Sequence, residues 1–99
     1  MLNIEMRREG ATLTVHPEGA IDTITSSQLE EALEDQLDGV EKLLFDFSDV
    51  EYISSAGLRV LLKLHKEMEK KGGMKIMDLT EEVRDTLEIV GLLDFLSVE

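Results

Sequence analysis

The run Lys42-Leu43-Leu44-Phe45-Asp46-Phe47-Ser48-Asp49-Val50-Glu51-Tyr52-Ile53-Ser54-Ser55-Ala56-Gly57-Leu58 holds a strand, a turn and the start of a helix. Residues 43–47 are almost continuously apolar, as expected of a central strand covered on both faces. Ser48-Asp49 turns the chain, and Val50 to Ile53 is extended. Ser54 and Ser55 then sit where this buried segment gives way to an amphipathic helix over roughly residues 56–71, stopped by Gly72-Gly73. Val60, Leu61, Leu64 and Met68 form the face suited to a sheet. Leu58 and Leu62 lie beyond its edge. They either pack on the first helix, upstream, or form an exposed apolar patch of the kind that marks an interface.

Upstream, residues 2–8 and 11–17 alternate in polarity around Glu9-Gly10 and predict a hairpin. Gly19-Ala20-Ile21-Asp22 is a short extended piece ending in an acid. A helix follows. Thr25 with Gln28 reads as a capping box, and Ile24 with Leu29 as a hydrophobic staple. Its inner face is Leu29, Ala32, Leu33 and Leu37, and Gly39 is the stop. Glu30, Glu31, Glu34, Asp35 and Asp38 on the outer face read as solvation rather than a metal site. Downstream, residues 74–77 predict a strand. Thr80 caps a third helix whose first turn carries Glu81 and Glu82. Val83, Leu87 and Val90 face inward, Gly91 ends the helix, and Phe95 to Val98 predict a last strand. The expected fold class is α/β, in the order β-β-α-β-α-β-α-β. It forms a mixed sheet of four to five strands with helices packed on it.

The 99 residues fit one domain, residues 1–99, with one modest core. There is no cysteine, so disulfides and thiolate chemistry are excluded. Without a signal-peptide pattern or a ~20-residue apolar run, the expected location is cytoplasmic, with no membrane insertion. The net charge of −12 argues against direct nucleic-acid binding and against docking on anionic lipid. Arg59, Lys63, Lys66, Lys70 and Lys71 nevertheless cluster on one helix. The cluster reads as a solvated face, or as a means of steering an acidic partner.

Nucleophilic catalysis at Ser55 needs a neighbouring base. His65 is ten residues along the same helix, about 15 Å away at 1.5 Å per residue. It reads as a half-buried packing residue, and His16 as an exposed strand residue. No zinc, calcium or phosphate-loop pattern is present. The serine turn remains. Ser54 or Ser55 serves as a helix N-cap, or the turn faces another protein. Ala56-Gly57 leaves space around Ser55, and Gly57 is a poor residue for a first helical turn unless something must come close to the backbone.

The sequence from Lys42 to Leu58 resembles the signature of STAS domains, the anti-sigma factor antagonists of bacteria. Gly19-Ala20-Ile21-Asp22 with Thr25, the Gly72-Gly73 pair and Val90-Gly91-Leu92 also match, so the resemblance covers nearly the whole chain. Many members have Asp where this chain has Ser54. The resemblance implies a regulatory partner switch and no enzyme activity in this chain. The partner would be an anti-sigma factor that is also a serine kinase of the histidine-kinase-like ATPase class, and a PP2C-type phosphatase would reverse its action. ATP and magnesium would belong to the kinase, leaving this chain without a cofactor. The implied phosphoacceptor is Ser55, with Ser54 the lesser candidate. Asp22, Thr23, Ser54, Ser55, Gly57, Leu58 and Leu62 are the implied partner-binding residues. A non-phosphorylated subunit of a transporter or other signalling complex is the alternative within the same family.

Overall fold

The computed structural model describes residues 2–96 and 98. Polarity alternates along β1 (Asn3–Glu9) and β2 (Thr12–Ile21), and the two form the expected antiparallel hairpin. The extended piece at residues 19–21 is the end of β2 rather than a separate element. Next come α1 (Thr23–Glu34), β3 (Lys42–Asp46), β4 (Val50–Ile53), α2 (Ser55–Glu69), β5 (Met74–Met77) and α3 (Glu81–Ile89). The fold class is mixed α/β, with five strands and three helices.

β2 organises the sheet. On one side it pairs with β1. On the other, Thr12 to Val15 run parallel to β3, and Gly19 to Ile21 run parallel to β4. Pro17 falls in the gap between these two partners, where its missing N–H breaks no ladder on that side. Gly19, at φ +115°, marks the irregularity where the register shifts. β5 pairs with the outer edge of β3, also parallel.

Leu13, Val15 and Pro17 are buried, whereas Thr14 and His16 between them are partly exposed. β3 alternates in the same way, with Leu43 and Phe45 buried and Leu44 and Asp46 partly exposed. The expectation that β3 is covered on both faces is therefore corrected. An apolar run as short as 43–47 fits either arrangement, and here one face stays open. The covered face meets Leu29 and Leu33 of α1, and Leu61, Leu64 and Met68 of α2. Phe45 and Phe47 pack edge to face beneath them, ring centroids 5.5 Å apart. Each fully buried side chain of this size contributes about 1.5–3 kcal/mol.

Two further expectations change. Val90 is half exposed rather than inward, because α3 ends before it; Val83 and Leu87 are buried as expected. The strand expected at Phe95 to Val98 is reduced, among the described residues, to one parallel bridge between Ile76 and Val98, and Phe95 lies in a turn. Ser97, inside that span, lies outside the described residues. His65 packs against the Phe95 ring at 5.1 Å, in keeping with its expected packing role. No helix among the described residues is long and apolar enough to cross a membrane.

Candidate functional site at the paired helix N-termini

β2 and β4 run parallel and end level with each other, Ile21 opposite Ile53. The next residues, Asp22 and Ser54, each cap a helix, so α1 and α2 begin side by side at the carboxyl ends of two neighbouring strands. In open α/β sheets ligands usually bind at this end.

The cap of α1 is Asp22, three residues earlier than expected. Its Oδ1 accepts the N–H groups of Ile24 and Thr25, both at 2.9 Å. The Thr25 hydroxyl oxygen accepts the Asp22 N–H at 2.8 Å and donates to the Ala20 carbonyl at 2.7 Å. This is a capping box, but Thr25 is its third helical residue and not its cap. Thr25 is buried within it, while Ile24 points outward at 81% exposure, so the expected staple between Ile24 and Leu29 does not form. The Thr25 amide, with the Thr25 hydroxyl and the Ile24 amide, outweighs burial and holds the Asp22 carboxyl below the usual carboxylate range.

The cap of α2 is Ser54. Its backbone N–H donates to the Ile21 carbonyl at 2.8 Å, which ties the turn to the end of β2. Its hydroxyl oxygen accepts the Gly57 N–H at 3.2 Å. Ser54 is thus occupied in starting the helix. Ser55, the first helical residue, is exposed. The two hydroxyls that sequence reasoning left as alternatives are separated by the structure into a cap and an outward-facing group.

Gly57 does not leave open space. A Cβ there would lie 2.7 Å from Ile53 Cγ1 and 2.8 Å from Ile21 Cγ2. What comes close to the backbone is the chain's own sheet, not another protein. Leu58 is buried and Leu62 is half-buried against the core, so the open choice for this pair resolves toward internal packing. Ile24, in the first turn of the neighbouring helix, is an exposed apolar side chain beside this turn. Its exposure was hidden from sequence reasoning by the misplaced cap.

A groove of about 310 Å³ runs between α1 and α2, lined in part by Thr23, Ser26, Glu30, Ala56, Arg59 and Lys63. Lys63 donates to Glu30 at 2.6 Å, and this bond raises the lysine above its ordinary range. No cluster of candidate metal ligands occurs among the described residues. His16, expected as an exposed strand residue, is instead paired on the open face. Its Nδ1 lies 3.1 Å from Asp46 Oδ2, and its Nε2 lies 2.8 Å from Asp49 Oδ2. Neither histidine sits at the serine turn: His16 is held on the open sheet face and His65 is part of the packing. The geometry suits presentation of a hydroxyl to another protein's chemistry.

Comparison with known proteins agrees with the architecture. BtrV of Bordetella bronchiseptica, a candidate anti-sigma factor antagonist, is 35% identical over 83 residues, covering 82% of this chain and 72% of that protein. The anti-sigma-B factor antagonist of Bacillus subtilis is 28% identical over 98 residues, covering 98% of this chain and 90% of that one. SpoIIAA, an anti-sigma factor antagonist and Bacillus cell fate determinant, shares the fold. Its unphosphorylated form superposes with a TM-score of 0.83 at 16% identity, covering 98% of this chain and 88% of SpoIIAA. Its phosphorylated form gives 0.74 at 15%, covering 98% and 91%. Residues 3–99 match the STAS domain family, to which this chain belongs.

Proposed function

We propose that this chain is an anti-sigma factor antagonist that works as a phosphorylation-controlled partner switch, with Ser55 as the acceptor. The observation that carries the reading is the division of labour at the serine turn: Ser54 is spent on the helix cap and Ser55 stands exposed beside it. The names of the relatives supply the kind of partner, an anti-sigma factor. The phosphorylated state of SpoIIAA lends support to the switch.

In this reading the chain supplies no catalytic group. The partner is a serine kinase of the histidine-kinase-like ATPase class, and it brings the ATP and magnesium. The Ser55 Oγ bonds to the γ-phosphorus, the bond to the β-phosphate bridging oxygen breaks, ADP leaves and the hydroxyl proton is lost. The docking surface comprises Asp22, Thr23, Ser54 and Ser55, with Leu62 at its edge and Ile24 beside it. Gly57 and Leu58 hold it from beneath. A phosphoryl group adds about −1.5 to −2 charges within this surface. The helix N-terminus tolerates that charge in the free protein. A partner docked against the surface must desolvate it, and a coupling of ~3 kcal/mol lowers affinity more than a hundredfold. A PP2C-type phosphatase restores the binding form.

Pull-down with the anti-sigma factor kinase of the same genome tests the switch. Ser55→Ala is expected to stay bound when ATP is added, while the wild type is released. Equal release of both proteins would contradict the role of Ser55.

A further inference from the structure

We propose that Arg59 is the internal counter-ion of phosphorylated Ser55, so that the modified chain holds its own phosphate; this rests on Ser55 being the acceptor. Ser55 is the first residue of α2 and Arg59 follows one turn later, both exposed. Residues four apart are neighbours on a helix surface, with roughly 5–6 Å between their Cβ atoms. Helical side chains lean toward the N-terminus, which carries the guanidinium back over the turn bearing Ser55. An acid placed N-terminal to a base at this spacing is the favourable order.

The surroundings leave Arg59 available. Among the described residues it makes no ion pair or hydrogen bond, whereas Lys63, the next cation along the groove, is held by Glu30 at 2.6 Å. The first turn of α2 contains no acid, unlike that of α3 with Glu81 and Glu82. Asp22, at the start of the adjacent helix, has its Oδ1 committed to two backbone amides. The planar guanidinium offers paired donors that match phosphate oxygens, and a lysine offers only a point charge.

The pairing has a consequence for the groove. In the unmodified protein Arg59 lines it, together with Thr23 and Ala56. Phosphorylation draws the guanidinium toward position 55. The groove thus gives up a cation at the moment a dianion appears on the residue preceding Ala56, which lines it. A partner fitted to the unmodified surface then meets altered charge at both places.

The test installs phosphoserine at position 55 by genetic code expansion, which removes any dependence on a kinase. Phosphorus NMR then follows the second ionisation of the phosphate in the wild type, Arg59→Gln, Arg59→Lys and the control Lys66→Gln. Arg59→Gln is expected to raise that pKa by about 0.3 units, the size of a helix-surface pair at this spacing. Arg59→Lys is expected to keep part of the effect and Lys66→Gln to leave it unchanged. The difference between wild type and Arg59→Gln should fade in about 1 M salt, where the screening length is ~3 Å. Equal pKa values for wild type and Arg59→Gln at low salt would overturn the pairing. So would an equal shift in Lys66→Gln, which would report net charge alone. A kinase that modifies a different residue would instead overturn the acceptor assignment, and the NMR comparison at position 55 would still stand or fall separately.

Discussion

Ile21 and Ile53 are almost fully buried and close over Gly57 from two adjacent strands. A methyl group at Gly57 has nowhere to go, since both neighbours are locked in the core. The intrinsic helix preference of Ala over Gly, about 1 kcal/mol, is outweighed by overpacking of about 1–3 kcal/mol. Gly57→Ala is therefore expected to be destabilised by about 1 kcal/mol in urea unfolding, although Gly→Ala in a helix ordinarily stabilises. Ser54→Ala loses the cap of α2 and is expected to cost about 1 kcal/mol, measured the same way, while Ser55 stays available to a kinase. At this scale the sequence was legible where a residue's role is local. The serine turn, the Thr80 cap and the inward positions Val83 and Leu87 were readable from spacing. The cap of α1 was not, because Thr25 with Gln28 imitates a capping box three residues too late. The steric role of Gly57 was hidden as well, since its neighbours come from two different strands.

The open sheet face carries a device of its own, one that links elements. His16 of β2 presents both ring nitrogens to carboxylates, Asp46 at the end of β3 and Asp49 in the turn to β4. A neutral imidazole has only one N–H to donate, so the full arrangement requires the imidazolium. The hydrogen bond to Asp49 is the foremost cause raising His16 above its ordinary value; burial opposes it and Asp46 assists. Burial also pushes Asp46 upward, but the Ser48 amide and hydroxyl together with His16 outweigh it and leave Asp46 lowered. For a histidine raised on folding, the stabilisation is complete below the unfolded value of about 6.5 and is lost as pH rises through the folded value. The urea midpoint of the wild type should therefore exceed that of His16→Gln clearly at pH 5.5, and the gap should narrow by pH 8.5. A gap that stays constant with pH would show the imidazole acting by packing alone. This clasp was illegible in the sequence because its partners lie 30 and 33 residues away. Beside it, Asp46 Oδ1 accepts the Ser48 N–H at 3.0 Å and closes a side-chain turn at the end of β3.

Across the whole molecule, alternating strands and amphipathic helices made the mixed sheet readable, whereas β2's two successive partners were not. That pairing depends on the turn at residues 47–49 displacing the chain between β3 and β4, a tertiary choice that no local pattern encodes. It is also what brings Asp22 and Ser54 level and so builds the site. The net charge of −12 acts at this scale through self-repulsion. Raising NaCl from about 0.01 M to 0.15 M shortens the screening length from ~30 Å to ~8 Å, and the melting temperature is expected to rise. An unchanged or lower value would mean that local pairs such as Lys63–Glu30 outweigh the global repulsion. In the proposed switch the turn presents one modifiable hydroxyl, on Ser55, and uses the other, on Ser54, as a cap. Peptide mapping after incubation with the proposed kinase and ATP tells the two hydroxyls apart. A single phosphate on Ser55 is expected in both the wild type and Ser54→Ala, and none in Ser55→Ala. A phosphate on Ser54, or an unmodified wild type beside a kinase shown to be active, would contradict it.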